Sequence, residues 1–397
     1  MLEGLNVALG VTGSIAAVKT VELAHELRRQ GASVRAVMSP AASGIIHPWA
    51  VDFATDGDVI TEITGRVEHV ELCGRDGWAD VFLIAPATAN TVGKIAGAID
   101  DTPVTTTATT ALGAGLPVVI APAMHEPMYD HPGVLDAIAR VESWGVEFVE
   151  PRIEEGKAKI ATEDAILTAL ARATTFQSLD GKHVVVTSGA TSEAIDPIRV
   201  LTNRASGATG RAVARSCYIR GAEVTLVQDG PEVHYAETVS VESAAEMLAA
   251  VEAAASKADA LLSAAAISDY TVEKADTKLR SGNPRTLELE PTPKLLDSIR
   301  QAHPELTMVG FKAETSGDDG AMVTQAAALR DRLDLAFVVA NDASVMGEAS
   351  TRGLLVGPEA DSPADCETVE GSKPLLAARI ADRLAEHVGS SPPTAGM

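Results

Sequence analysis

The sequence predicts an α/β protein built from two Rossmann-like, doubly wound domains, and three observations support this fold class. Short runs rich in Val and Ile, unbroken by polar residues, alternate with helix-length segments along the 397 residues. Such runs are typical of strands that crossover helices bury on both faces. The alternation starts again after a polar turn at residues 179–182, and a loop rich in small residues follows the first strand of each half.

The first domain, residues 1–176, is expected to be flavodoxin-like. Its strands are predicted at residues 6–11, 33–38, 81–84 and 118–120, with helices at 14–30 and 164–172. The N-terminal stretch has an acid at position 3 and no basic segment before its apolar run. We therefore interpret it as a buried strand and not as a signal peptide.

The second domain, residues 177–397, follows a boundary near residues 174–180. Its strands are predicted at residues 183–187, 223–227, 260–263, 308–311 and 337–340, with a helix at 210–220. The restart is one of architecture, since the two halves show no detectable sequence repeat. The last ten residues are rich in Gly, Ser, Pro and Thr, which is typical of a frayed tail.

The charge composition excludes some classes of partner. The chain has 55 acidic and 32 basic residues, a net charge of −23, spread as −11 over residues 1–178 and −12 over 179–397. A strongly acidic protein repels phosphate backbones and anionic membranes, so we expect neither nucleic-acid nor membrane binding. The acidity and a count of only 11 lysines favour a salt-adapted (halophilic) protein; the alternative is a merely acidic one.

Cysteine usage and hydropathy point to the cytoplasm. The three cysteines are far apart and form no CxxC pair, which argues against a disulfide framework or a zinc site and fits a reducing compartment. No segment reaches the roughly 18 uninterrupted apolar residues that a membrane span requires.

The loop after the first strand is a candidate phosphate site. Gly13–Ala16 lies where this strand turns into a helix, and glycine there lets the backbone approach an anion. The spacing differs from the GxGxxG dinucleotide fingerprint. On this pattern alone, a tight turn without a ligand is the more common interpretation.

Further segments at strand ends carry polar or reactive side chains. An open α/β sheet binds its ligands at the carboxyl ends of its strands. The segments are Met38-Ser39-Pro40, Ala85-Pro86-Ala87-Thr88-Ala89-Asn90 and Pro122-Ala123-Met124-His125. An isolated His69 lies between apolar residues in Val-Glu-His-Val-Glu-Leu, where a structural role and a catalytic role are both open.

In this order, these motifs resemble the flavoprotein family of cysteine decarboxylases, specifically the phosphopantothenoylcysteine decarboxylases. The resemblance implies FMN at the strand ends, in a cleft between subunits. A cysteinyl thiol is oxidised there to a thioaldehyde, CO₂ is lost, and the resulting enethiol is reduced. His69 would be the acid/base residue. The implied FMN-binding residues are Gly13, Ser14, Ile15, Ala16, Ser39, Ala85, Pro86, Thr88, Asn90 and Met124.

Two positions depart from the family pattern. His125 replaces an asparagine that contacts the substrate carboxylate, and an imidazole N–H can donate a similar hydrogen bond. The family's flap carries a cysteine that protonates the enethiol, whereas the corresponding segment here, Glu-Gly-Lys-Ala-Lys-Ile-Ala, has none. Lys159 lies nearest to that position and could supply the proton, as could water. Cys73, four residues after His69, is a weaker candidate.

The second domain has its own candidate site loops. Residues 203–210, Asn-Arg-Ala-Ser-Gly-Ala-Thr-Gly, precede a helix and suit a phosphate site, although a well-capped helix start would have the same composition. Asp269 follows a strand in Ser-Ala-Ala-Ala-Ile-Ser-Asp. Lys278 lies in a basic loop of a lysine-poor chain, where a simple solvated charge could equally have been another residue.

This half resembles the phosphopantothenate–cysteine ligases. In that family CTP activates 4′-phosphopantothenate as an acyl-cytidylate, and the cysteine amine then displaces CMP. Asn203 would hold the intermediate and Lys278 would neutralise phosphate charge. The implied CTP-binding residues are Ser263, Ala264, Ala265, Asp269, Lys278, Pro293, Lys294, Leu295, Leu296 and Phe311. Mg²⁺ is expected with the triphosphate, at Asp269, and basic residues expected before a later strand are matched by Arg330 and Arg332.

The order of the two halves resembles the bifunctional coenzyme A enzymes of bacteria and archaea. We therefore predict cysteine ligation followed by decarboxylation to 4′-phosphopantetheine, in a homo-oligomer. The resemblance implies trimeric decarboxylase contacts and dimeric ligase contacts, which together would form a dodecamer. Alternatives are a flavin prenyltransferase, a peptide-cysteine decarboxylase and a non-enzymatic regulatory flavoprotein. An NAD-dependent dehydrogenase is disfavoured because GxGxxG and a suitably placed YxxxK pair are missing.

Overall fold

The chain divides into two compact units, Met1–Thr175 and Phe176–Met397. The computed structural model describes residues 1–282, 284–314, 318–342, 350–358, 360 and 362–389. Each unit contains a mainly parallel sheet, so the predicted α/β class is confirmed.

The first unit is organised around a six-stranded parallel sheet of order β3-β2-β1-β4-β5-β7. The strands are β1 Asn6–Val11, β2 Ser33–Met38, β3 Val59–Ile60, β4 Val81–Ala87, β5 Val118–Pro122, β6 Met124–His125, β7 Glu147–Phe148, β8 Arg152–Glu154 and β9 Lys157–Lys159. The order runs outward in both directions from β1, so the topological switch point lies between β1 and β4. Without the two-residue β3, the order is that of flavodoxin-like folds.

Nine α-helices are described in this unit: α1 Thr20–Arg29, α2 Pro40–Ser43, α3 Pro48–Thr55, α4 Glu68–Cys73, α5 Ala89–Ala96, α6 Pro103–Ala114, α7 Glu126–Tyr129, α8 Pro132–Glu142 and α9 Glu163–Thr174. The helix predicted at 14–30 begins as a 3₁₀ helix, Ile15–Lys19, and continues as α1. The tighter turn is common at helix starts and separates the first loop from α1 proper.

The core of the first unit lies on both faces of its sheet. All seven residues of β4 are buried, as expected for a strand covered by helices on either side. Gly10 in β1 is required by packing, since a Cβ atom there would lie 2.9 Å from the ring of Phe82. The unbroken Val/Ile runs of the sequence correspond to these doubly covered strands.

The second unit contains an eight-stranded sheet of order β14-β13-β10-β15-β18-β19-β20-β21. Its strands, with those of two small ribbons, are β10 His183–Ser188, β11 Ser192–Ala194, β12 Val200–Thr202, β13 Glu223–Gln228, β14 Glu237–Ser240, β15 Ala260–Ser263, β16 Tyr270–Val272, β17 Leu289–Pro291, β18 Thr307–Glu314, β19 Phe337–Asp342, β20 Ser350–Val356 and β21 Glu367–Ser372. Pairing is parallel as far as β19, and β20 and β21 are antiparallel. The switch point lies between β10 and β15.

Helices α10 Ala208–Ile219, α11 Ala244–Ala255, α12 Leu295–Ala302, α13 Asp319–Leu333 and α14 Lys373–Val388 pack against this sheet. Outside it, β11 pairs with β12 and β16 pairs with β17, each antiparallel. These ribbons were not predicted, because strands of three residues are too short to show a repeating pattern. Among the described residues, no helix is both long and apolar enough to span a bilayer.

Candidate active sites

The first candidate site lies at the carboxyl ends of β1, β2 and β4. Ser14, Ser39 and Thr88 each begin a helical segment directly after one of these strands. Their hydroxyl oxygens accept hydrogen bonds from the backbone N–H groups of Ala16, Ala42 and Thr91, at 3.2–3.3 Å. Three predicted FMN-binding residues thus start turns at the same edge of the sheet, beside the switch point, where free N–H groups favour anions.

Gly13 is required by a close approach between the first loop and α2. A Cβ atom at this position would lie 2.5 Å from the Cβ of Ala41. No larger residue can occupy this position unless the backbone moves, because carbon atoms in contact are normally about 3.5–4.0 Å apart. The remaining residues of the first loop differ in exposure, and Ile15 is 78% exposed.

Thr12 links the loops around this site, a role that was not predicted from the sequence. Its hydroxyl donates to the Pro86 carbonyl at 2.7 Å and accepts from the Thr88 N–H at 3.2 Å. The Ala85–Pro86 peptide is cis. Ser14 adds a third link, since its hydroxyl donates to the Ala123 carbonyl at 3.1 Å. The only signal in the sequence was a Thr at the end of a buried strand.

His69 lies in α4 and is half-buried. Its Nδ1 atom is buried and has no hydrogen-bond partner among the described residues. An unsatisfied buried nitrogen costs free energy, so the arrangement suits a partner that arrives with a ligand. Val67, two residues before His69, has φ of 54°, a strained value for a β-branched residue. Such strain is typical of functional sites.

A small antiparallel sheet places the two departures from the family pattern, His125 and the flap with Lys159, on neighbouring strands. Strand β6 pairs with β9, which places His125 opposite Lys157 and Met124 opposite Ala158. The Lys159 ammonium lies 3.0 Å from the carboxylates of both Glu154 and Glu155. Hydrogen bonds to Glu155 and Glu154 raise the pKa of Lys159, which therefore stays protonated at neutral pH.

Cys73 is the last residue of α4 and does not belong to the flap segment. It is fully buried in the core on the α4 side of the sheet, and this burial raises the pKa of its thiol to about 12. Its surroundings are those of an inert structural cysteine. Cys73 is therefore poorly suited to deliver a proton to a substrate.

The second candidate site is a cavity of about 230 Å³ beside the carboxyl end of β15. Eight of the predicted CTP-binding residues line it: Ser263, Ala265, Asp269, Pro293, Lys294, Leu295, Leu296 and Phe311. Ala264 and Lys278 are not among its lining residues. Residues separated by nearly 50 positions in the sequence therefore converge because three loops meet at one edge of the sheet.

Two ion pairs carry the charge of this cavity. Lys294 lies 2.5 Å from Asp269, and Arg332 pairs with Asp297. Arg330 instead is buried and donates to the carbonyls of Gly357 and Ala360, so of the two arginines only Arg332 lines the cavity. In the part of the chain that the structure describes, no three His, Cys, Asp or Glu side chains form a metal-binding group.

The 203–210 loop packs over the end of β10. Asn203 donates from its side-chain amide to the Ala266 carbonyl at 3.0 Å, which ties it to the loop after β15. The Ser188 hydroxyl donates to the Gly207 carbonyl at 2.9 Å. A Cβ atom on Gly210 would lie 2.6 Å from the Cβ of Ser188, so glycine is required there. The loop thus borders the β10/β15 switch point, as its composition indicated.

Asp196 is a buried acid to which the sequence analysis assigned no role. Burial alone would raise its pKa, but backbone N–H groups of Leu279, Ile198 and Arg199, with the Arg199 charge, outweigh burial and lower the pKa to about 2. Several N–H groups donating to one carboxylate stabilise its ionised form. In the sequence, Asp196 stands out only as part of an Asp-Pro turn. Such a turn predicts local structure and does not predict the contact with Leu279.

Comparison with known families agrees with this division of the chain. Residues 1–175 match the family model described as Flavoprotein. Residues 179–388 match that described as DNA/pantothenate metabolism flavoprotein C-terminal domain. The fold and the sites thus define a flavoprotein joined to a pantothenate-metabolism domain.

Relatives over the full length narrow this class. The Coenzyme A biosynthesis bifunctional protein CoaBC of Thermococcus kodakarensis is 49% identical over 362 residues, 90% of each chain. That of Methanocaldococcus jannaschii is 33% identical over 396 residues, 98% of this chain and 96% of the relative. A crystal structure of the C-terminal domain of CoaBC is 28% identical, covers 53% of this chain and 98% of its own, and has a TM-score of 0.43. The chain belongs to the family of bifunctional coenzyme A biosynthesis proteins.

Proposed function

We propose that residues 177–397 join cysteine to 4′-phosphopantothenate with CTP, and that residues 1–176 decarboxylate the product to 4′-phosphopantetheine. The observation that carries this proposal is the presence of two separate site clusters, one at the carboxyl ends of β1, β2 and β4 and one beside the carboxyl end of β15. Membership of a bifunctional family supports two consecutive steps in one chain.

In the first unit the residues present fit FMN. Gly13 has no Cβ atom, which allows the close approach of the first loop to α2. Ser14, Ser39 and Thr88 begin turns at the strand ends. The buried Nδ1 atom of His69 has no hydrogen-bond partner among the described residues. The proposed FMN-binding residues are those predicted from the sequence: Gly13, Ser14, Ile15, Ala16, Ser39, Ala85, Pro86, Thr88, Asn90 and Met124. Bound FMN supplies the two-electron chemistry that makes loss of CO₂ easy.

The side chains of this unit bind the substrate and move protons. We assign to His69 the acid/base role, because an imidazole exchanges protons near neutral pH. His125 donates a hydrogen bond to the substrate carboxylate. Lys159, held by Glu154 and Glu155, delivers a proton to the enethiol, with water as the alternative donor.

In the second unit the cavity beside β15 takes the nucleotide. A carboxylate is a poor electrophile, and its conversion to an acyl-cytidylate supplies a leaving group. Lys278 neutralises phosphate charge as the anhydride forms, and Asn203 holds the intermediate. Asp269 provides one carboxylate for Mg²⁺, which proteins often bind through one or two carboxylates together with substrate phosphates. Lys294 and Arg332 also line this cavity, each paired with a carboxylate.

The compartment and assembly are part of the proposal. A chain with a net charge of −23 that binds anionic substrates needs local positive sites and salt to screen the rest of its field. We therefore assign it to a salt-rich cytoplasm. The resemblance to the two families supports a homo-oligomer with trimeric decarboxylase and dimeric ligase contacts.

Reciprocal variants test the division of labour. His69→Asn should abolish CO₂ release from 4′-phosphopantothenoylcysteine and leave pyrophosphate release intact. Lys278→Gln should leave CO₂ release intact and lower pyrophosphate release strongly, to a residual rate. Pyrophosphate and CO₂ are measured on the same full-length preparations after reconstitution with FMN. If either variant lost both activities equally, the assignment of one step to each unit would be wrong. A protein that binds FMN yet shows neither activity would favour the regulatory flavoprotein.

A further inference from the structure

We propose that Asp196, together with Arg199, is a positioning residue for the ligation step: it anchors the loop between β16 and β17 and so holds Lys278 in place. This inference rests on the proposed function of the second unit, because it assumes that Lys278 contacts the nucleotide or the acyl-cytidylate.

The segment at 193–199, which includes β11, lies along β16 and the start of this loop, and contacts them at three successive points. The Glu193 carboxylate accepts from the Thr271 hydroxyl at 2.9 Å. The Ile195 carbonyl accepts from the Ala275 N–H at 3.0 Å. In the third contact, the Leu279 N–H donates to the Asp196 carboxylate at 3.0 Å. Leu279 is the residue after Lys278. The segment therefore fixes the path of the loop as far as the lysine.

Both the backbone N–H and the backbone carbonyl of Leu279 are hydrogen-bonded in this contact. One Asp196 oxygen accepts from the Leu279 N–H, and the Arg199 guanidinium, which is paired with the same carboxylate, donates to the Leu279 carbonyl at 2.9 Å. The other Asp196 oxygen accepts from the N–H groups of Ile198 and Arg199 at 2.8 and 2.9 Å. The Asp196 side chain is completely buried, so water does not compete with these bonds.

Lys278 itself depends on this anchor. Its side chain is exposed and makes no hydrogen bond or ion pair with the described residues. The loop runs from residue 273 to 288 without regular structure in its described part. A long flexible ammonium can be held near a phosphate only if its backbone is placed, and a misplacement of about 1 Å can cost roughly 100-fold in rate. The Asp196–Arg199 pair supplies this placement from outside the nucleotide cavity.

Kinetics of the full-length protein test the role of Asp196. Asp196→Asn should lower kcat for pyrophosphate release about 10- to 100-fold, with a smaller change in KM for CTP. CO₂ release by the same preparation should be unchanged. Asp382→Asn is the matched control: it removes a carboxylate that accepts from Arg220 at 2.7 Å elsewhere in the same unit, and it should leave ligation unaffected. If Asp196→Asn does not fold, Arg199→Met, at a half-exposed position, provides the same test.

A double-variant comparison separates positioning from general destabilisation. If Asp196 acts through Lys278, Asp196→Asn should cause no further loss in a Lys278→Gln background, because coupled residues are not additive. Full additivity of the two losses would overturn the proposal, as would an equal loss in Asp382→Asn.

Limited proteolysis gives a readout that does not depend on activity. Trypsin should cleave after Lys278 or Arg280 several-fold faster in Asp196→Asn than in wild type, because the anchor at Leu279 is lost. Unchanged cleavage would overturn the proposed anchor. Faster cleavage with normal pyrophosphate release would overturn its role in ligation. Absence of pyrophosphate release from wild type, with faster cleavage in the variant, would instead refute the proposed function of the second unit.

Discussion

Replacement of Gly13 by alanine tests whether the first loop must lie as close to α2 as the structure places it. The added Cβ would be 2.5 Å from the Cβ of Ala41, with further Ala41 atoms at 3.2 and 3.4 Å. Carbon atoms in contact prefer about 3.5–4.0 Å, so the loop or the helix must move by about 1 Å. Gly13 is not in the left-handed region, so the contact alone causes the effect.

The size of the effect follows from the cost of overpacking. Forcing an extra carbon into a tightly packed position costs about 1–3 kcal/mol. If the loop moves away to relieve the contact, the same free energy is lost from FMN binding, which corresponds to a weakening of about 5- to 150-fold. Pyrophosphate release belongs to the other unit and should not change.

FMN titration followed by flavin fluorescence, together with thermal unfolding, measures both consequences. Gly44→Ala is the matched control, because Gly44 has helical φ and its added Cβ would meet only the Ala41 carbonyl oxygen, at an ordinary 3.5 Å. Adding Ala41→Gly to Gly13→Ala removes the closest atom and should restore part of the affinity. Unchanged FMN affinity and melting temperature in Gly13→Ala would refute the close approach of the loop.

Three further predictions concern the flap, the buried acid and the charge. Lys159→Ala should lower formation of reduced product about 100-fold and let the enethiol accumulate in mass spectra; unaltered turnover would remove Lys159 from the mechanism. The pKa of Asp196 is lowered from 3.8 to about 2, so its contribution to stability is complete above about pH 4 and is lost as the pH falls through 2. The difference in melting temperature between wild type and Asp196→Asn should therefore be constant from pH 6 to 4 and shrink below pH 4, and a difference independent of pH would contradict this. Because of the net charge of −23, lowering KCl from molar to about 0.1 M should reduce the melting temperature and both activities; a protein indifferent to salt would be merely acidic.

The sheets were the most predictable part of the fold. Strands β1, β2 and β15 have the predicted bounds, and the other predicted strands are longer by one to four residues. Uninterrupted Val and Ile runs predict doubly covered strands well, because burial on both faces leaves no place for polar residues. The ribbons β11–β12 and β16–β17 escaped prediction, since strands of three residues are too short to show a repeating apolar pattern.

What the sequence determined by itself was the fold class, the family and the set of residues at the strand ends. These follow from local patterns and from the order of motifs, which a linear chain records directly. Tertiary structure alone decided which residues meet: Arg332 but not Arg330 at the cavity beside β15, the His125 strand beside the strand of Lys159, and Asp196 bonded to Leu279. Each of these contacts joins loops that are far apart along the chain. Such contacts depend on how strands and ribbons pack in three dimensions, which a local sequence pattern does not record.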